Sequence, residues 1–134
     1  MQPTKEAVAL TPETNEALKA LGWEGHEFKK CDWCLAFGES ASVLNVDSDY
    51  LDVDYGLHGY RMLREIATPL LHWEDDIEPI LRGLGYEVEV YGIGIYGCNI
   101  WKEPYGKPVN ADGLSTRQLA MMRAVIALAK EVGK

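Results

Sequence analysis

Cysteine is scarce in this sequence of 134 residues, which contains only three. An odd number of cysteines argues against a disulfide framework and is typical of a chain whose thiols stay reduced. The first residues, Met-Gln-Pro-Thr-Lys-Glu, also lack the charged and apolar regions of a secretory signal. We therefore expect free thiols and a cytoplasmic location.

Long hydrophobic runs and familiar catalytic motifs are missing as well. Charged residues or glycine interrupt every apolar stretch before it reaches the length of a membrane span. The sequence has no Gly-x-Ser-x-Gly elbow, no P-loop and no Gly-x-Gly-x-x-Gly loop, and the segment Gly92-Ile93-Gly94 lacks the helix on which a phosphate would sit. These absences favour a binding protein over a membrane protein or an enzyme.

Basic residues are too few to balance the acids. Thirteen Lys and Arg stand against 21 Asp and Glu, which gives a formal net charge of -8. The whole excess falls within residues 39–78, where Arg61 and Arg64 are the only bases and the acids are Glu39, Asp47, Asp49, Asp52, Asp54, Glu65, Glu74, Asp75, Asp76 and Glu78. Such a field repels nucleic acid phosphates and attracts cations or basic protein surfaces. We therefore expect no direct binding of DNA or RNA.

Hydrophobic periodicity and turn signals predict the order of the elements. A helix is expected over residues 12–21, strands over 31–37, 42–46 and 50–55, helical structure over 60–67, a helix from 74 to 84, a hairpin over 86–101 and a helix over 116–132. Residues 1–10 are predicted to be a flexible lead-in, and 103–113 a loop or a bent edge strand. The segment Ser115-Thr116-Arg117-Gln118 is predicted to form a capping box.

These elements define a fold class. No repeat or linker divides the chain, so we expect a single domain over residues 1–134. A helix, a run of strands, a hairpin and a long C-terminal helix predict an α+β fold with a mostly antiparallel sheet packed with helices.

The pair Cys31 and Cys34 suggests a metal site or a redox motif. A C-x-x-C knuckle can present two thiolates to zinc, and His26 is close enough in sequence to join as a third ligand. Cys98 becomes the fourth ligand only if the sheet brings it there. A redox-active pair would need a helix after the first cysteine, whereas the flanking residues predict a strand. The alternative to both is that the two cysteines are small core residues.

The aspartates at positions 47, 49, 52 and 54 suggest either a cation site or an acidic surface. The EF-hand pattern fails, because no glycine stands at the sixth position of the loop and no glutamate at the twelfth. A solvated strand face explains the alternation of these acids without a function. If they bind a partner, the acids Glu74, Asp75 and Asp76 are expected to contribute, and exposed aromatic residues clustered beside them would mark the interface.

The C-terminal part of the chain carries a pattern seen in a known family. From Asp76 to Val132 a helix runs into Gly83-Leu84-Gly85-Tyr86, a hairpin follows, and Ala-Asp-Gly-Leu-Ser-Thr leads into a helix rich in Ala and Met. In these features the chain resembles the small phage α/β/α-sandwich proteins, a family without a settled activity. The resemblance covers under half of the chain. It implies a phage or mobile-element origin and a binding role, and it brings no catalytic residues.

Three functional hypotheses follow. The leading one is a small acidic interaction protein that binds or inhibits a protein partner with a basic surface through the 39–78 region. The first alternative is a zinc-stabilised module that uses His26, Cys31 and Cys34. The second is a small enzyme with an unrecognised pocket, in which His58 or His72 would stand beside a carboxylate.

Overall fold

The computed structural model describes residues 4–102 and 107–133. Among them are three α-helices and seven antiparallel strands in two sheets, so the predicted α+β class is confirmed. The helices are α1 (Lys5–Ala20), α2 (Glu78–Gly83) and α3 (Arg117–Val132). The strands are β1 (Trp33–Ala36), β2 (Glu39–Val46), β3 (Tyr50–Val53), β4 (Tyr60–Leu63), β5 (Tyr86–Ile93), β6 (Ile95–Lys102) and β7 (Val109–Leu114). No helix in the described part of the chain has the length and apolar character to cross a membrane.

The chain divides into two compact units. The first contains Met1–Thr11 and Gly25–Leu70, and the second contains Pro12–Glu24 and Leu71–Lys134. A single domain over residues 1–134 stays a prediction beside this division, and each unit is described by itself.

The first unit is built on a four-stranded antiparallel sheet in the order β1-β2-β3-β4. The strands are short and rich in Val, Leu, Tyr and Ser, and alternate residues of β3 turn inward, with Leu51 and Val53 fully buried. One apolar cluster forms the core of this unit: Phe28, Cys34, Ala36, Ala41, Val43, Leu51 and Val53. The opposite side of β3 and β4 carries Tyr50, Asp52, Arg61 and Leu63, because the side chains of a strand alternate between the two faces.

The second unit is built on a three-stranded antiparallel sheet in the order β5-β6-β7, with α3 packed against it. β5 and β6 pair without a slip from Tyr86 opposite Lys102 to Ile93 opposite Ile95, so the strictly alternating segment forms the predicted hairpin. The helix α3 begins after Thr116, whose hydroxyl accepts a hydrogen bond from the Leu119 backbone N–H at 3.1 Å.

The predicted capping box is wrong in both of its residues, because the cap is Thr116 and not Ser115. Gln118 does not bond back to the start of α3; instead its side chain accepts from the Trp73 N–H at 2.8 Å and donates to the Leu71 carbonyl at 2.6 Å. Thr116 therefore caps the helix alone, and Gln118 holds residues 71–73, far away in the sequence.

Two helical predictions also differ from the structure. The first helix begins at Lys5 and includes Pro12, whereas the sequence pattern placed its start at Pro12. The Thr11 hydroxyl, predicted as an N-cap, donates to the Ala7 carbonyl at 2.7 Å inside the helix. Residues 60–67, predicted as helical, form the strand β4 and a short 3-10 helix at Arg64–Ile66, because pairing with β3 overrides their local preference.

The remaining differences concern segment ends. A π-helical turn at Trp73–Ile77 precedes α2, and Pro79 lies in the first turn of α2 as expected. The segment 103–113, predicted as a loop or a bent edge strand, contains most of the edge strand β7. Residues 103–106 of this segment and residues 1–3 of the predicted lead-in lie outside the described residues.

Candidate functional site

The four aspartates of the first unit lie around β3. Asp47 and Asp49 stand between β2 and β3, Asp52 lies within β3, and Asp54 directly follows it. Three of them are exposed and Asp52 is half-buried. The sheet thus gathers all four around one short strand.

Arg61 of β4 brings two of these carboxylates together. In the register of β3 and β4, Arg61 stands opposite Asp52, and its Nε lies 3.4 Å from Asp52 Oδ1. Its Nη2 donates to Asp47 Oδ2, and its guanidinium carbon lies 4.8 Å from the centre of the Tyr50 ring. The charges of Arg61, Asp47 and Asp52 sum to -1, so the arginine balances one of the two carboxylates in this ion-pair network. Because all three are substantially exposed, each pair adds little to stability.

Asp49 and Asp54 stand apart from this network. Within the described residues, neither side chain forms an ion pair or hydrogen bond. Asp49 is nevertheless tied to the end of β4, because its carbonyl accepts a hydrogen bond from the Arg64 N–H at 2.9 Å. Two of the four predicted binding carboxylates therefore converge, and the other two extend separately into solvent.

The three other predicted binding acids, Glu74, Asp75 and Asp76, lie in the second unit, in the π-helical turn. His72 caps this turn: its Nδ1 accepts from the backbone N–H groups of Glu74 and Asp75, each at 3.2 Å. The Asp76 carboxylate accepts from the His72 N–H at 2.8 Å. These contacts satisfy backbone groups at the start of a helix, which explains the pairing of His72 with acids without catalysis.

His58, the other histidine considered for catalysis, lies exposed between β3 and β4. No carboxylate of the described chain pairs with it. The structure therefore does not place the histidine–carboxylate arrangement of the enzyme hypothesis at this position.

The predicted zinc ligands of the first unit have separate environments. His26 Nε2 lies 3.0 Å from Asp32 Oδ2, and its ring meets Phe28 edge to face. Cys31 is exposed, whereas Cys34 is fully buried in the core cluster. No group of three or more His, Cys, Asp or Glu side chains within residues 4–102 and 107–133 is arranged to hold a metal ion. The zinc module with His26, Cys31, Cys34 and Cys98 stays a prediction.

The two buried thiols are protected from ionisation. Burial, aided by the charge of Asp32, raises the pKa of Cys34 to about 11. Burial also raises the pKa of Cys98, in the second unit, to about 12, with Glu78 and Glu89 adding to the effect. A thiol in such surroundings is a small apolar core residue, because a thiolate would be buried without a cation beside it.

Thiol alkylation tests this assignment. At pH 8 a thiol with the pKa of Cys34 is ionised in about one molecule in a thousand, and only the thiolate reacts. We expect iodoacetamide to modify Cys31 in the native protein and to leave Cys34 and Cys98 intact, while all three react in guanidinium chloride. Mass spectrometry of tryptic peptides reads out each site, and equal labelling of Cys31 and Cys34 in the native protein would contradict the burial described above.

An exposed aromatic cluster stands at the start of β4. The Phe37 ring lies 5.2 Å from that of Tyr55 and 4.9 Å from that of Tyr60, measured between ring centroids. Phe37 is 68% exposed and Tyr60 41% exposed. We call these three residues the aromatic cluster. Tyr55 and Tyr60 lie within residues 39–78, the segment that carries the whole excess of negative charge, and Phe37 lies two residues before that segment.

Phe37 also has an unusual backbone. It occupies the turn between β1 and β2 with a φ of 51°, and among the described non-glycine residues only Cys31 shares a positive φ. An L residue in this region costs about 1–2 kcal/mol. The sequence pattern predicts Phe37 within a strand and gives no sign of this cluster, because its members are brought together only by the pairing of β1 to β4.

Comparisons with family models, with curated proteins and with solved structures give no match. The phage origin implied by the resemblance of the C-terminal part therefore stays a prediction.

Proposed function

We propose that this protein is a small acidic interaction protein that binds a partner with a basic surface through its first unit. The observation that carries the proposal is the aromatic cluster within and beside the acidic segment, in which Phe37 and Tyr60 are exposed. The same segment contains the whole formal charge excess of the chain.

The exposed rings are suited to supply binding energy. Aromatic side chains are enriched among the residues that dominate protein interfaces, because they bury a large rigid area at a small entropic cost. The turn at Phe37 carries backbone strain, yet its ring stays mostly in water. The two-residue turn between β1 and β2 requires this positive φ, and it holds the ring where another molecule can reach it.

The charges around the cluster are suited to select the partner. Glu39 follows the strained turn, and the exposed carboxylates of Asp49 and Asp54 flank β3. Such an acidic rim accelerates encounter with a basic surface and repels an acidic one. The partner is therefore expected to carry Lys or Arg around an apolar centre.

A random peptide library displayed on phage tests this proposal without knowledge of the natural partner. We expect selected peptides to combine Lys or Arg with aromatic or aliphatic residues, and their affinity to fall as salt rises. The variant Phe37→Gly removes the ring while its backbone still suits a positive φ, so the turn is preserved. We expect it to weaken binding about tenfold or more, since loss of an aromatic hot spot costs about 2 kcal/mol or more.

The matched control is Ile93→Ser, which removes a 96% exposed apolar side chain from the second unit. It should leave the affinity unchanged in fluorescence anisotropy titrations. Peptides selected without basic residues, or an equal loss in both variants, would contradict the proposed function.

A further inference from the structure

The two edges of the four-stranded sheet differ in how they end. The β1 edge is closed by the chain itself: the Leu35 N–H donates to the Thr68 carbonyl at 3.0 Å, and the Leu70 N–H donates to the Trp33 carbonyl at 2.9 Å. An isolated bridge between Cys34 and Pro69 lies between these bonds. At this edge the backbone groups of the strand therefore already have partners.

The β4 edge is open. Along an antiparallel strand, successive residues direct their backbone N–H and C=O groups to opposite sides of the strand. The Arg64 N–H donates to the carbonyl of Asp49, the residue before β3. Every second residue of β4 has the same direction, so Met62 and Tyr60 also direct their backbone groups toward β3. Arg61 and Leu63 therefore direct theirs away from β3. No described residue pairs with β4 on that outer side. Two N–H and two C=O groups thus face outward in the spacing that an added strand requires.

Three common protections of an edge strand are absent from β4, which is a short strand of four residues. Edges are commonly blocked by proline, by a bulge or by a charge that points along the edge. The pairing of β4 with β3 has no bulge, and β4 contains no proline. Its one charged side chain, Arg61, is turned to the carboxylates of Asp47 and Asp52 on the face of the sheet.

We infer that an extended, basic segment of the partner adds to β4 as a fifth strand of this sheet. This inference rests on the proposed function and specifies how the partner binds. The edge continues directly into the aromatic cluster, since Tyr60 is its first residue, and Leu63 at the other end is 41% exposed. Main-chain hydrogen bonds then supply affinity, and the exposed side chains supply selectivity.

The charge decides between a partner segment and a second copy of this chain. Asp49 and Asp54 directly precede and follow β3, and Glu65 follows β4. Two copies of this chain paired through β4 would each bring the net charge of -8 that residues 39–78 carry, and surfaces of like charge repel one another. A basic segment instead places Lys or Arg beside these acids.

One substitution removes an outward backbone N–H of β4 without changing the hydrogen bonds between β4 and β3. Leu63 has φ -68° and ψ 128°, which proline adopts without strain, and Met62 before it is already extended. Leu63→Pro therefore deletes the outward N–H, while Leu63→Ala deletes the same side chain and keeps that N–H. With a selected peptide as the probe, we expect Leu63→Pro to bind about tenfold or more weakly than Leu63→Ala, as loss of a main-chain hydrogen bond to a buried carbonyl predicts.

N-methylated versions of the same peptide test the inference on the unaltered protein, should Leu63→Pro unfold. Methylation of alternate residues should abolish binding, and methylation of the intervening residues should not, because only every second N–H of an added strand faces β4. A peptide that tolerates N-methylation at every position overturns the edge inference.

The outcomes separate this inference from the proposed function. If Phe37→Gly abolishes binding while Leu63→Pro and Leu63→Ala bind equally, the strand addition is wrong and the proposed function stands. If neither Phe37→Gly nor Leu63→Pro changes affinity, both are wrong. If the protein alone dimerises in analytical ultracentrifugation and Leu63→Pro abolishes the dimer, the edge takes a second copy and the partner segment is overturned.

Discussion

Replacing Gly92 with alanine is expected to lower the free energy of unfolding by about 3 kcal/mol or more. Gly92 lies near the end of β5 with a φ of 106°, a conformation that L residues rarely adopt. A Cβ at this position would stand 2.1 Å from the Ile95 carbonyl oxygen and 3.1 Å from its carbon. Both atoms belong to the backbone of the paired strand, so the hairpin itself has to move.

Gly94→Ala is the matched control for this substitution. Gly94 lies in the same turn with a φ of 77°, yet a Cβ there meets no atom within 4 Å. It therefore carries only the conformational cost, about 1–2 kcal/mol. Urea denaturation followed by circular dichroism measures both variants, and equal losses would mean that the close approach of Gly92 to Ile95 is not real.

Replacing Leu51 with alanine is expected to cost about 2–5 kcal/mol, because it leaves a cavity in the core of the first unit. Leu51 is fully buried in that core, and it stands opposite Met62 of β4. The loss therefore also loosens the strand to which we assign partner binding. Fluorescence-detected unfolding in guanidinium chloride gives the free energy, and peptide titration shows whether binding weakens with it.

Leu44→Ala provides the comparison for Leu51. Leu44 belongs to β2 of the same sheet, and 47% of it is exposed. Its replacement is expected to change stability by less than about 1 kcal/mol, since little apolar area leaves the core. A Leu44 variant as unstable as the Leu51 variant would contradict the division of the sheet into an inner and an outer face.

The elements that were predicted correctly from the sequence are those whose own residues carry a strong signal. β5 was predicted because its residues alternate strictly, and the single glycines beside it allow the tight connection to β6. The helix α3 was predicted from its apolar stripe, while its cap is Thr116 and not Ser115 of the predicted capping box. In both elements the local preference and the packing agree, so the pattern was sufficient.

The parts that failed depend on distant partners. Residues 60–63 contain Arg, Met and Leu, which favour helices, yet they pair with β3 as an edge strand. Gln118 matched a local capping pattern, but its amide bonds to Leu71 and Trp73 instead. A local rule cannot choose between a partner three residues away and one brought near by the fold.

The candidate site shows the same division. The sequence by itself determined the amount and sign of the charge and its concentration in residues 39–78, because a count of ionisable groups needs no coordinates. Only the tertiary structure decided that Arg61 joins Asp47 to Asp52, that Phe37 meets Tyr55 and Tyr60, and that β4 keeps an open edge. Those features arise from strand order and register, which are set by how the whole sheet buries its apolar face.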